Sequence, residues 1–186
     1  MKKFYPVNIP KVTSNDIKNV TKVMRESWIS SDGPDVKNFE YKFSKFINKK
    51  YSVAVSNGTA ALEIAMKAIG VKQGDEVIIP NFTIISNALA VIKLGAKPIL
   101  IDCGLYDWNI NIDDLKKKIT KKTKMILVEN PGSNTFEFQD LSKIIKIAKK
   151  KKILTFLDNT WGTPLYLKPL KLGFDMSFTS ATKYFS

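Results

Sequence analysis

The sequence predicts an α/β fold, a mostly parallel sheet flanked by helices, and three observations predict it. Short apolar runs alternate with amphipathic stretches of helical period along most of the chain. Strands separated by helices in this way pair in parallel, with helices covering both faces of the sheet. No internal repeat, low-complexity block or flexible linker interrupts the 186 residues, a length that buries one good core.

The elements follow in order. Thr13 and Asp16 stand at capping-box spacing and open a helix with Ile17, Val20 and Val23-Met24 on one face. Trp28-Ile29-Ser30-Ser31-Asp32-Gly33-Pro34 breaks it as a loop. Val36, Phe39, Phe43 and Phe46-Ile47 recur at helical spacing, and Tyr51 to Val55 reads as a short strand. Ser56-Asn57-Gly58-Thr59 turns the chain into a helix from Ala60 to about Ile69. Glu76 to Pro80 is a strand, Thr83 to Leu94 a helix, and Lys97 to Asp102 the next strand. Ile112 to Ile119 is helical, Met125 to Val128 a buried strand, and Leu141 to Lys150 a helix. Ile153 to Leu157 and Met176 to Thr179 complete the strands.

Composition narrows the function classes. The formal net charge is +13, but Arg25 is the only arginine, and base-edge and phosphate recognition favours arginine forks. The lysines form runs, Lys116 to Lys118, Lys121-Lys122 and Lys149 to Lys152, beside helices whose apolar positions face a core. They read as solvated faces, and no nucleic-acid partner is expected. The positive field still suits a phosphorylated or nucleotide-linked small molecule. No apolar run reaches the ~20 residues of a membrane helix, and Met1-Lys2-Lys3 leads into Phe4-Tyr5-Pro6 rather than a signal-peptide core. A cytoplasmic protein without a membrane partner is expected. Without histidine, His-based catalysis and the usual zinc ligands are missing, and no metal is expected. Cys103 has no internal disulfide partner and reads as a small filler where a strand meets a loop.

Two constellations carry chemistry. Ser56 to Leu62 places Gly58 and Thr59 where a strand becomes a helix, a position that serves equally as a helix cap or as a cradle for phosphate. It is neither a Walker loop nor a dinucleotide fingerprint. At the other end Asp158 closes the apolar strand Ile153 to Leu157, so its carboxylate emerges at the carboxyl edge of the sheet, where open α/β sheets bind ligands. A buried carboxylate needs a partner, and a protonated pyridine nitrogen is one. Lys183 follows the last strand and suits Schiff-base chemistry, with Ser180 and Thr182 flanking it as hydroxyls for phosphate oxygens. Taken singly, each is better read as a strand-capping aspartate or a surface lysine.

Together they match known patterns. Leu157-Asp158-Asn159-Thr160-Trp161, Thr163-Pro164, Gly173-Phe174-Asp175 and Ser180-Ala181-Thr182-Lys183-Tyr184 closely resemble the cystathionine β-lyase branch of the Cys/Met-metabolism pyridoxal phosphate (PLP) enzymes. Glu129-Asn130-Pro131-Gly132-Ser133-Asn134-Thr135-Phe136-Glu137 resembles that family's preceding block, so this likeness covers about 125–186. Residues 1 to about 127 are similar instead to the DegT-type sugar aminotransferases. The matching segments there are Trp28-Ile29-Ser30-Ser31, Val55 to Leu62, Gly74 to Pro80, Phe82-Thr83, Gly95-Ala96-Lys97-Pro98 and Ile119 to Lys124.

Both families share the aspartate aminotransferase-like fold type I, and the resemblance implies one partial PLP-binding large domain over 1–186. Within it, 1–35 form an N-terminal arm and helix and 36–186 the α/β core. Lys183 lies three residues from the last, so the domain is expected to be incomplete and the small C-terminal domain absent. The resemblance implies pyridoxal 5'-phosphate as cofactor, a Schiff base on Lys183, and Asp158 paired with the pyridine nitrogen. It gives the phosphate to Gly58, Thr59, Ser180 and Thr182, and implies a homodimer acting on a small-molecule substrate. The implied reaction is amino transfer to a nucleotide-linked keto sugar. The alternatives are a carbon–sulfur lyase of the cystathionine β-lyase type and an inactive truncated or chimeric remnant. One departure concerns the ring: many DegT-type enzymes place an aromatic over it just after the threonine equivalent to Thr83, where this chain has Ile84, and Phe82 is expected in the core.

Overall fold

The computed structural model describes Tyr5, Ile9 and residues 11–184, Tyr184 by its backbone alone. Most of the expected N-terminal arm before Lys11 therefore lies outside the described residues. The chain divides into two compact units, one ending at Ala54 and one running from Val55 to Tyr184.

The first unit holds α1 (Ser14–Arg25) and α2 (Pro34–Phe46). The capping box forms as expected: the Thr13 side chain accepts from the Asp16 amide, and Asp16 accepts from the Thr13 amide at 2.8 Å. The Thr13 hydroxyl also donates to Asp16 and holds its carboxyl below the usual carboxylate range. Ile17, Val20 and Met24 share a face, yet each is about 60% exposed, and α1 has no buried residue. One expectation fails here. Tyr51 to Val55, expected as a strand, joins no ladder among the described residues. Its polar groups are met locally instead, because Glu40 Oε1 accepts from the Ala54 amide at 2.8 Å and the Glu40 carbonyl accepts from the Ser52 hydroxyl.

The second unit is a five-stranded sheet with crossover helices. Its strands are β1 (Glu76–Pro80), β2 (Lys97–Ile101), β3 (Thr123–Glu129), β4 (Leu154–Asp158) and β5 (Met176–Phe178), in the order β2-β1-β3-β4-β5 and all parallel. The longer helices are α3 (Gly58–Ala68), α4 (Ile85–Lys93), α5 (Ile112–Lys118) and α6 (Leu141–Lys151). Three short ones, α7 (Thr163–Tyr166), α8 (Pro169–Leu172) and α9 (Ala181–Tyr184), were not expected, since four residues are too few to show a period. Pro at the first turn sets up α7 and α8.

Period-2 alternation along β3 divides its side chains between two cores. Ile126 and Val128 join Ile78 and Leu157 under Leu115 of α5 and Ile144 and Ala148 of α6. Met125 and Leu127 join Val77, Ile79 and Phe156 under Leu62 and Met66 of α3 and Ala90 and Val91 of α4. All of these are within 1% of full burial, each worth roughly 1–3 kcal/mol of apolar transfer. The lysine runs of α5 and α6 lie outside those cores: Lys116 and Lys117 and Lys149 to Lys151 are exposed, as the sequence suggests. Cys103 is half-buried in an isolated bridge with Ile110 just past β2.

Candidate active site

The parallel sheet sends every strand's carboxyl end to one edge, and the site forms there. Asp158 is the last residue of β4 and Glu129 the last of β3, and the register pairs them directly. From Asp158 the chain turns into Asn159 and Thr160. The Thr160 amide donates to Asp158 Oδ1 at 2.9 Å, the Asn159 amide donates to the Phe178 carbonyl at 2.9 Å, and Thr160 Oγ1 accepts from the Ser180 amide at 3.0 Å. These bonds tie the end of β4 to the segment that leaves β5.

On the other side α3 begins earlier than Ala60 because Asn57 is its cap, its Oδ1 accepting from the Ala60 amide at 2.9 Å. The amides of Gly58 and Thr59 fall in the first turn, where a helix cannot satisfy them internally and an anion can. Gly58 stands close to the segment that leaves β5. A Cβ there would stand 3.2 Å from Cβ of Ser180 and 3.4 Å from the Phe178 ring.

Between these parts lies a cavity of about 240 Å³. Gly58, Thr59, Asp158, Ser180, Thr182 and Lys183 all line it, so residues up to 125 positions apart in sequence meet in one place. Ser180 Oγ and Thr182 Oγ1 lie 2.7 Å apart. Asp158 is 5% exposed with no basic partner within ion-pair distance among the described residues. Burial raises its pKa to about 7, the Glu129 charge adds to the rise, and the hydrogen bond from Thr160 opposes it. Lys183 Nζ stands over the Trp161 ring, 5.4 Å from its centroid. An amine, a buried acid and a set of anion donors around one cavity suit a small molecule with a carbonyl and a phosphate.

Among the lining residues that sequence reasoning did not name as site residues are Glu129, Ser133 and Trp161. Glu129 is 3% exposed and accepts from Thr83 Oγ1 at 3.1 Å and from the Ser133 hydroxyl. Ser133 Oγ accepts from Trp161 Nε1 at 3.1 Å, and Phe136 meets Trp161 edge-on at 4.9 Å. The signal for Glu129 was present, since it ends an apolar strand just as Asp158 does. Ile84 lines the cavity as an aliphatic wall, whereas Phe82 packs on Trp108 at 4.9 Å and does not reach it. Among the described residues no cluster of three or more His, Cys, Asp or Glu can hold a metal, and no helix is long and apolar enough to cross a membrane.

Comparison with known proteins sets this geometry in a family. The model of the DegT/DnrJ/EryC1/StrS aminotransferase family matches residues 10–173, running well past residue 127, where the sequence begins to resemble the lyases. GDP-perosamine synthase of Escherichia coli is 35% identical over 156 residues, which is 84% of this chain and 42% of that protein. A Saccharomyces cerevisiae protein named putative cystathionine beta-lyase is 30% identical over 155 residues, 83% of this chain and 45% of that protein. The solved PLP-form of a putative sugar aminotransferase from Streptococcus pneumoniae superposes with a TM-score of 0.75 at 26% identity, covering 84% of this chain and 43% of that one. The chain thus spans less than half the length of the relatives it matches.

Proposed function

This chain belongs to the DegT/DnrJ/EryC1/StrS aminotransferase family, and we propose on that footing that it carries the cofactor site of a PLP-dependent aminotransferase. The acceptor in this reading is a nucleotide-linked keto sugar. The observation that carries the reading is the convergence of Lys183, Asp158, Gly58, Thr59, Ser180 and Thr182 on one cavity.

The residues fit pyridoxal 5'-phosphate. Gly58 leaves open the space a side chain would fill beside Ser180, and the buried Asp158 lacks a cation that a pyridinium nitrogen supplies. In this reading the Gly58 and Thr59 amides with the Ser180 and Thr182 hydroxyls hold the phosphate. Bound there, the cofactor supplies an electrophilic aldehyde and an electron-withdrawing ring. Lys183 Nζ would be the nucleophile towards that aldehyde and the group placed to hold or move a proton at the cavity. Asp158 would pair with the ring nitrogen, and Leu62, Ile84 and Phe178 would give the cavity apolar walls. A cytoplasmic homodimer belongs to the same reading. It accords with the apolar face of α4, where Ile85, Leu89 and Ile92 are 53–68% exposed, and light scattering checks it.

The purified chain incubated with pyridoxal phosphate should gain visible absorbance, and borohydride should fix the cofactor on Lys183 by peptide mass mapping. Glutamate-dependent amino transfer to a nucleotide keto sugar then completes the test. An unlabelled Lys183 would leave a non-catalytic chain. A second reading, carbon–sulfur bond cleavage, is favoured by the lyase-like segment around Asp158 and Lys183 and by the yeast relative. Pyruvate released from cystathionine would replace the first reading with the second.

A further inference from the structure

Among the described residues, the Lys183 amine stands over the face of an indole that its own neighbours hold in place. Trp161 donates its indole N–H to Ser133 Oγ at 3.1 Å, receives the Phe136 ring edge-on at 4.9 Å, and carries Lys183 Nζ 5.4 Å from its centroid. Ser133 is fixed in turn, because its hydroxyl donates to Glu129 Oε1, and Glu129 is 3% exposed at the end of β3. Thr83 holds the other Glu129 oxygen at 3.1 Å and accepts from Asn87 Nδ2 at 3.0 Å. A rigid chain of contacts therefore runs from the sheet edge to the indole. Lys183 itself sits on a four-residue helix, is exposed, and has no carboxylate within ion-pair distance among the described residues. A long flexible side chain so placed samples many rotamers unless a surface holds it.

We propose that Trp161 is a positioning residue for Lys183, a platform anchored by Ser133 and Glu129 on which the amine rests at the cavity. The platform confines the nucleophile to the cavity side of its helix before any carbonyl arrives, and the indole face attracts the ammonium through its quadrupole. This inference rests on the reading of Lys183 as the cofactor's nucleophile, but its test does not.

The full chain without cofactor is trace-acylated with acetic anhydride, and Lys183 modification is measured by peptide mass mapping against the exposed Lys171 as internal standard. Trp161→Leu should raise Lys183 acylation about two- to fivefold, the factor that an exposed cation–π contact corresponds to. Ser133→Ala, which keeps the indole but frees it, should raise it by less, and Trp161→Phe, which keeps a ring, should stay nearest the wild type. Unchanged Lys183 acylation in both Trp161→Leu and Ser133→Ala overturns the proposal. Should circular dichroism show that Trp161→Leu fails to fold, Ser133→Ala decides alone, since it removes one hydroxyl. The variants that raise acylation should also slow borohydride-trapped capture of pyridoxal phosphate at Lys183, and capture at the wild-type rate would overturn the positioning role. A wild-type chain that shows the acylation pattern yet captures no cofactor refutes the cofactor reading and leaves the amine–indole contact standing.

Discussion

Asp158 is held 5% exposed beside Glu129 with no ion pair among the described residues, and its pKa rises to about 7. The direction of the resulting stability change follows from proton counting. Below about pH 4 both the native and the unfolded chain hold this proton. Between about 4 and 7 the unfolded chain has lost it while the native chain keeps it, so native stability falls as pH rises through that window. A shift from 3.8 to about 7 corresponds to a loss on the order of 4 kcal/mol once the pH passes 7. Asp158→Asn removes the titration, so the variant should gain stability over the wild type at pH 8 and little at pH 4.5. Urea melts of both proteins at the two pH values check this, and a gain that does not change with pH would refute it. The same substitution should weaken pyridoxal phosphate binding, because the neutral amide offers a pyridinium no charge.

At the scale of elements, the site depends on how closely the start of α3 approaches the segment after β5. Gly58→Ala places a Cβ 3.2 Å from Ser180 Cβ, a contact that a shift of a few tenths of an ångström relieves. Alanine in a helix gains up to about 1 kcal/mol over glycine, which offsets that strain. The variant should therefore keep its thermal midpoint while losing about tenfold in cofactor affinity, about 1.4 kcal/mol, by absorbance titration. A large drop in midpoint with unchanged affinity would mean that Gly58 serves packing alone. All five strands and the four longer helices of the second unit were legible in the sequence, because each is an apolar run or a helical period long enough to register. Tyr51 to Ala54 misled: its residues have strand character, but Glu40 supplies the partners that a ladder would. Helix α4 starts two residues later than the sequence suggests, because the backbone of Ile84 is extended and caps it, and the Thr83 hydroxyl is bonded to Glu129 and Asn87. Of the six expected site residues, Asp158 was legible as the end of a strand, and the other five as glycine, hydroxyl and amine side chains where helices begin or strands have just ended. The Glu129–Ser133–Trp161 chain was not, since it exists only through the register of β3 on β4 and a hydrogen bond spanning 28 residues.

For the molecule as a whole, the buried charges among the described residues are two acids, and the lysines lie outside the cores. The two acids at the sheet edge, Glu129 and Asp158, are buried, while most lysines of the +13 chain stand on solvated helix faces. Exposed ion pairs such as Lys116–Asp113 and Lys143–Asp140 contribute little to stability, so the lysines act mainly through their summed field. A positive field of this kind steers a phosphate-bearing ligand at long range but does not strengthen its short-range contacts once it is seated. Capture of pyridoxal phosphate should therefore slow as salt rises, since the Debye length shrinks from about 30 Å at 0.01 M to about 8 Å at 0.15 M. Stopped-flow absorbance across that range should show the association rate falling severalfold, with the dissociation rate nearly constant. A salt-insensitive association rate would assign recognition to the cavity alone, to the Gly58 and Thr59 amides and the Ser180 and Thr182 hydroxyls, and would leave the lysine runs the solubilising role their exposure already gives them.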